Sequence, residues 1–425
     1  MAPPVPADLI PATIVDEKRC REDGHHSSQS TNISQAAPTL PGSTLPATSS
    51  IGEFPASLPL QQRTNLVDAL TQFGIQLSEC PEPPHIGPSI IRYRIRLAPG
   101  TRLDSLRRCQ EDISRTLGQD LAVIALPNEP YIALDIPRRP RQFVSLVSAI
   151  DALPAPSSRA ELLIPFGVTP DGLPVSHDLS TLPHVLVAGS TNGGKTMFIR
   201  CMIVAFALRW APSAIEILVV DLKSVDFTAF GGLPHLRGAG IISDPYDAIE
   251  ALRELVDEEL PRRTRLLQDA GCTNFRELTT RNNNCPAAPI VVIIDEFAEL
   301  ISVLSRQDRR QLERSILRLS QRARALGVHL VLATQRPSTD LITGSIKANF
   351  PCRVSFRLPQ RLDSMVVLDQ AGAEKLLGSG DMLLLHEGQL CRLQGYCMSI
   401  ADETQLLTRK YPALVPAQFT ADHYS

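Results

Sequence analysis

No stretch of this chain is long and apolar enough to span a bilayer. The most apolar run, Met197 to Ala211, is too short and is interrupted by Arg200 and Arg209. The first residues lack the charged-then-apolar order of a secretory leader. Nine cysteines are scattered without a C-x-x-C pair. The nearest two, Cys391 and Cys397, fall on a segment that reads as strand. That spacing excludes a disulfide framework and a structural zinc site, so all nine read as reduced. The nine histidines form no cluster, and His329, inside an apolar run, reads as core rather than ligand. Positive charge is not in excess either: the net charge is −3 and the isoelectric point about 6.3. A protein that coats nucleic acid over its whole surface is thereby excluded, and any such contact must be local, as in a channel. What remains is a cytoplasmic globular chain of 425 residues, 43% hydrophobic and 20% charged, long enough for two or three domains.

Residues 1–60 are rich in Pro, Ser, Thr and Ala. They cannot bury enough apolar surface to offset chain entropy, so a disordered tail or tether is expected. A small α+β domain is expected over 61–155. Asn65 to Phe73 reads as a helix. In IIRYRIRL, Ile91, Tyr93, Ile95 and Leu97 share one face and Arg92, Arg94 and Arg96 the other. That arginine face is either solvated or, in a ring-forming or DNA-contacting module, lines a surface. Thr101 to Leu117 reads as an amphipathic helix, and LAVIAL and YIALDI as strands around a Pro-Asn turn.

Beyond residue 156 the pattern becomes that of a larger α/β domain, expected over 156–410, with 411–425 as a tail. PFGVTPDGLPVSHDL reads as a hairpin turning at Asp171-Gly172. Four near-continuous apolar strands follow, at 184–188, 216–220, 290–294 and 329–333, with helices between them, as in a mostly parallel sheet covered on both faces. Helices are expected over Met197–Leu208, Asp247–Gln268 and Asp308–Leu326, with Pro261 kinking or splitting the second.

Between the first strand and its helix lies GSTNGGKT, which fits G-x-x-x-x-G-K-[ST]. In such a loop (Gly189, Ser190, Thr191, Asn192, Gly193, Gly194, Lys195, Thr196) successive N–H groups face the phosphates of a nucleotide. Lys195 reaches the β/γ oxygens and the Thr196 hydroxyl holds Mg²⁺. The other strands also end in polar groups at their C-terminal ends, where α/β sheets bind ligands. These are Asp221 with Lys223 beyond it, Asp295-Glu296, and Thr334-Gln335. Asp295 suits the metal shell, Glu296 the polarisation of an attacking water, and Gln335 the sensing of a γ-phosphate.

From about residue 87 to 400 the chain resembles the FtsK/SpoIIIE DNA translocases. PHVLVAGSTNGGKT, VVDLK, GGLPHL, VVIIDEFAEL, the run from Arg322 through LATQRPSTDLITGSIKANFPCRVSF, and LDQAGAEKLLGSGDMLL carry the resemblance. In the small domain GPSIIRYRIRLAPG and PYIALDIP look like that family's alpha domain. The resemblance implies a RecA-like P-loop motor, ATP and Mg²⁺ as cofactors, and double-stranded DNA held in the pore of a homohexamer. It implies an arginine finger at Arg324, supplied in trans, and a second basic position at Arg361. It also implies DNA-facing loops matched by the segment from Arg336 to Lys347, both of which would contact phosphates. Neither the family's membrane anchor nor its winged-helix domain is matched, so a recruiting or DNA-loading partner is expected instead of a membrane-anchored role. Met365 stands where relatives carry an arginine. Two other readings stay open: a related motor that moves polypeptide, as in type VII secretion, and a ring that binds DNA without hydrolysis.

Overall fold

The computed structural model describes residues 57–412 and 414, apart from 80, 82, 126–129, 154–160, 183, 239 and 282–284. Of the segment 1–60 expected to be disordered, residues 1–56 lie outside these, as do the Pro-Asn turn and almost all of the C-terminal tail, whereas residues 57–60 open a helix. Everything described belongs to one compact unit, Pro55–Ser425.

The first part holds α1 (Ser57–Gln72), β1 (His85–Ile86), β2 (Ile90–Ile95), α2 (Leu103–Arg108), α3 (Gln110–Leu117), β3 (Ala122–Ala125) and β4 (Ile132–Pro137). The helix α1 begins at Ser57, earlier than the expected Asn65. The expected helix from Thr101 is broken at Cys109 into α2 and α3. The strands pair antiparallel in the order β1-β2-β4-β3. The strand β2 alternates as read, with Ile91, Tyr93 and Ile95 buried. Its other face is not simply solvated. Arg92 is only 7% exposed and makes a two-pronged ion pair with Asp135, its register partner on β4. Asp135 is in turn bonded by Arg392 from the second sheet. Part of the arginine stripe is therefore a seam between the two sheets, which alternation within one strand cannot reveal.

A short β5 (Val144–Ser145) and α4 (Leu146–Ala152) lead to β6 (Leu163–Val168) and β7 (Pro174–Asp178). These two form the expected hairpin, with Gly172 at φ 82° in its turn. Next come β8 (His184–Ala188), α5 (Lys195–Arg209), β9 (Glu216–Val220), α6 (Pro245–Glu254), α7 (Leu260–Asp269), α8 (Phe275–Arg281), β10 (Ile290–Ile294), α9 (Phe297–Val303), α10 (Arg306–Arg322), β11 (Val328–Thr334), α11 (Gly344–Asn349), β12 (Cys352–Phe356), α12 (Arg361–Leu368), β13 (Asp381–His386), β14 (Gln389–Cys397) and α13 (Ile400–Lys410). Five strands run parallel in the order β12-β8-β11-β10-β9, and β13, β14, β6 and β7 extend the sheet antiparallel. Alternate residues of β8 enter opposite cores. Val185 and Val187 pack with α5, and Leu186 and Ala188 pack with α6 to α10. Because β11 lies between β8 and β10, its end falls between the phosphate loop and the acidic pair. This is the RecA-like α/β motor fold that the strand pattern and the resemblance implied. Among the described residues no helix is long and apolar enough to cross a membrane.

The helix expected to kink or split at Pro261 is divided just before that residue rather than ended by it. A π-helical turn, Leu255–Glu259, joins α6 to α7 just before it. Its wider spacing accommodates the missing N–H and the ring within a continuous helical path. Asp244 caps the start of α6 by accepting from the N–H groups of Tyr246 and Asp247.

His184 fixes the start of β8, the strand that feeds the phosphate loop. Its Nδ1 accepts from the Leu330 N–H at 2.9 Å, so Nε2 carries the proton and donates to the Ser320 carbonyl at 3.1 Å. Burial, with the neighbouring His329 adding to it, pushes its pKa down from 6.5 to about 3. Unfolded chains take up this proton near pH 6.5 and the folded chain only near pH 3. Stability from this site is thus full above pH 6.5 and falls as pH drops towards 3, by ~5 kcal/mol over the window. Melting temperature against pH should fall less steeply from pH 6.5 downward in His184→Gln than in wild type. Equal slopes would show that His184 does not carry the acid sensitivity.

Candidate nucleotide site

The loop Gly189–Thr196 leaves the C-terminal end of β8 and enters α5 at Lys195. Its curvature requires left-handed backbone at Asn192 (φ 61°) and at Gly194 (φ 124°). A side chain at Gly194 would also lie 2.8 Å from the Gly380 nitrogen, so glycine is required there for space as well as for backbone angle. The loop is tied from outside: Ser190 donates from both N and Oγ to the Arg357 carbonyl, and the Gly189 N–H donates to the Thr334 carbonyl. Among the described residues the N–H groups of Thr191, Asn192 and Gly194 take no internal hydrogen bond. They are the donors an anion would satisfy.

Lys195 is buried and donates to Asp295, at 2.6 Å to Oδ1 and 2.8 Å to the carbonyl. The Asp295 Oδ2 and the Asp221 Oδ2 are both buried and without a hydrogen-bond partner. Burial, followed by the Asp295 charge on the next strand, raises the Asp221 pKa. Two bare carboxylate oxygens beside a phosphate loop are hard-donor oxygens of the kind Mg²⁺ binds. The residues therefore fit the ion: Thr196 and Asp295 would hold it, with Asp221 close by.

Glu296 is aimed by β11. Thr334 Oγ1 donates to its Oε1 at 2.7 Å, and the Gln335 N–H donates across the carboxylate at 3.1 and 2.8 Å. The Gln335 side chain accepts from Thr191 Oγ1 of the phosphate loop at 3.0 Å. The C-terminal ends of β8, β11 and β10 thus collect the loop, Lys195, Asp295, Glu296 and Gln335. The residues given no role from sequence are Thr334, Asp221 and the glycines Gly378 and Gly380. Their signals were present, as a polar end to an apolar strand and a glycine-rich run before GDMLL.

Arg324 is elsewhere. It sits in a 3₁₀ turn before β11, and its guanidinium donates to the Thr181 carbonyl, ahead of β8, at 3.2 Å. Thr181, Asn274, Arg276 and His329 line the cavity around it. The five residues of β8 separate that end from the phosphate loop by about 17 Å, so Arg324 does not reach its own loop. Arg361 is exposed at the first position of α12, beyond the end of β12. Arg336 is exposed just after β11. Lys347, on α11 ahead of β12, bonds Asp369 at 2.7 Å, and Arg353 shares that carboxylate at 2.6 Å. Arg336 thus follows the C-terminal end of one parallel strand and Lys347 precedes the N-terminal end of another.

Comparisons with known proteins point to one family. Residues 145–339 match the model of the FtsK/SpoIIIE family and residues 50–138 that of the FtsK alpha domain. DNA translocase FtsK of Haemophilus influenzae is 37% identical over 344 residues, covering 74% of this chain and 64% of the relative. DNA translocase SpoIIIE of Bacillus subtilis is 35% identical over 360 residues, covering 80% of this chain and 45% of the relative. The chain thus spans less than two thirds of the length of either relative. In fold it is similar to the pCW3 conjugation coupling protein TcpA, solved in a monomer form with ATPγS (TM-score 0.58, 22% identity, covering 82% of this chain and 99% of that one). It is also similar to the cytoplasmic domain of the type VII secretion ATPase EccC of Thermomonospora curvata (TM-score 0.52, 24% identity, covering 60% and 32%). With residues 145–339 and 50–138 matching that family's two models and named members 35–37% identical to it, the chain belongs to the FtsK/SpoIIIE family.

Proposed function

We propose that this chain is an ATP-driven translocase on double-stranded DNA that works as a homohexameric ring. The observation that carries the reading is a nucleotide site assembled at the C-terminal ends of the parallel strands while its expected arginine finger stands at their N-terminal ends. Such a site is complete only when the Arg324 end of one subunit meets the phosphate-loop end of the next, a head-to-tail contact that closes into a ring. The names of the relatives supply DNA as the substrate.

In this reading the phosphate-loop N–H groups and Lys195 bind the β/γ phosphates. Glu296, held by Thr334 and the Gln335 N–H, orients a water and takes its proton, and Gln335 links that water's position to Thr191. Mg²⁺, held by Thr196 and Asp295, would neutralise phosphate charge. Arg324 and Arg361 supply cationic charge from protein. Arg336 and Lys347 contact DNA phosphates without reading bases, Lys347 sharing its charge with Asp369. The small domain of 61–155 and the motor of 156–410 act as one subunit, in the cytoplasm, with a separate protein recruiting the ring.

The test is ATP hydrolysis with and without long duplex DNA, with Lys195→Ala as control, followed by triplex displacement. Strong stimulation by duplex DNA and displacement of the third strand are expected. Hydrolysis indifferent to DNA would favour a polypeptide-moving motor, and absence of hydrolysis a static clamp.

A further inference from the structure

Three segments that carry the family resemblance have no part in the hydrolytic set: IIRYRIRL, PYIALDIP and LGSGDMLL. They meet in one place. Arg92 of the first grips Asp135 of the second at 2.7 and 2.9 Å. Arg392 of β14 donates to Asp135 at 3.1 Å and to both oxygens of Asp381, in the third, at 3.0 and 2.7 Å. All four side chains are buried, and the charges cancel. Asp381 also accepts the Leu377 N–H at 2.8 Å. From the connector that leaves the small sheet, Arg141 donates to the Leu377 carbonyl at 3.2 and 3.3 Å and to the Gly378 carbonyl at 3.4 Å.

The loop so held, Leu377–Gly380, lies against the phosphate loop. The Ser379 N–H donates to the Asn192 carbonyl at 3.2 Å and the Gly380 N–H to the Gly193 carbonyl at 2.8 Å. A trans peptide is planar, with its C=O and N–H pointing opposite ways. Holding the Gly193 carbonyl outward therefore turns the Gly194 N–H inward, towards the phosphates. The approach is too close for any side chain at Gly194, and Gly380 is closed in as well, since a Cβ there would lie 2.7 Å from Gln394 Nε2.

We propose that Arg141 and Arg392 are positioning residues for nucleotide binding. They clamp the Leu377–Gly380 loop between the alpha-domain sheet and the phosphate loop, so that the shape of the phosphate cradle depends on how the alpha domain is docked. The proposal rests on the nucleotide-binding reading above. A purely structural seam would hold the sheets together without altering the cradle.

The two are separated by titrating wild type, Arg141→Ala, Arg141→Lys, Arg392→Gln and Lys195→Ala with a fluorescent ATP analogue, alongside thermal melting. Arg141 is partly exposed, and its loss removes hydrogen bonds from a charged donor to two carbonyls. Arg141→Ala should weaken the analogue's Kd roughly tenfold with its melting point lowered only slightly, and in hydrolysis the loss should appear in KM rather than kcat. Arg141→Lys should recover part of the affinity. Arg392→Gln should weaken Kd at least as much, melting included. An unchanged Kd in Arg141→Ala, or a loss in Arg392→Gln that follows the melting point alone, overturns the proposal. Failure of wild type to bind the analogue overturns the nucleotide reading together with it.

Discussion

Arg324→Ala should lower the turnover of ATP by about 10³–10⁵-fold, the range lost when a cation supplied in trans to a γ-phosphate is removed. Nucleotide affinity should change little, because Arg324 stands at the opposite, N-terminal ends of the strands, bonded to the Thr181 carbonyl. Mixing supplies the decisive measurement. Lys195→Ala subunits keep the finger and lose the loop, whereas Arg324→Ala subunits keep the loop and lose the finger. Each alone should be inactive, and together they should recover hydrolysis, since some interfaces in a mixed ring pair an intact loop with an intact finger. No recovery, or full turnover by Arg324→Ala alone, would mean that the finger has been misplaced.

Glu296→Gln should lower kcat by about 10²–10⁴-fold while ATP still binds. The amide keeps the size of the side chain, and its oxygen can still accept from Thr334 Oγ1 and from the Gln335 N–H. What it cannot do is take a proton from water. The chain should therefore accumulate with ATP bound, which rapid filtration with labelled nucleotide would read directly. If Glu296→Gln hydrolyses at the wild-type rate, the base is another group, and Asp221, with its raised pKa and bare Oδ2, is the next to substitute.

The parts of the molecule legible from sequence were those whose signal is local. The strands 184–188, 216–220 and 290–294 end where apolar runs meet a glycine or an acid, and the structure gives the same limits. The phosphate loop and the Asp295-Glu296 pair needed only their flanking elements to be placed. Other features depend on partners far along the chain. Arg92 looked like surface because its alternation is perfect, yet it is buried by Asp135 and by what Arg392 brings against them. Lys347 gave no sign of its bond to Asp369. Thr334 and Gln335 gain meaning only from the insertion of β11 between β8 and β10, a matter of strand order that no window of sequence contains.

The π-helical turn before Pro261 has a mechanical consequence. One extra residue in a turn rotates everything after it by about 100° around the helix axis. In this register Arg263 faces inward, where it is 1% exposed and donates to the carbonyls of Ala288, Leu326 and Gly327. Leu326 closes the short turn that begins at Arg324. The turn that carries Arg324 is therefore bolted to the helix layer behind it. On the proposed reading, the backbone that carries Arg324 would move little by itself, and advancing the guanidinium would call for a tilt of one subunit against the next.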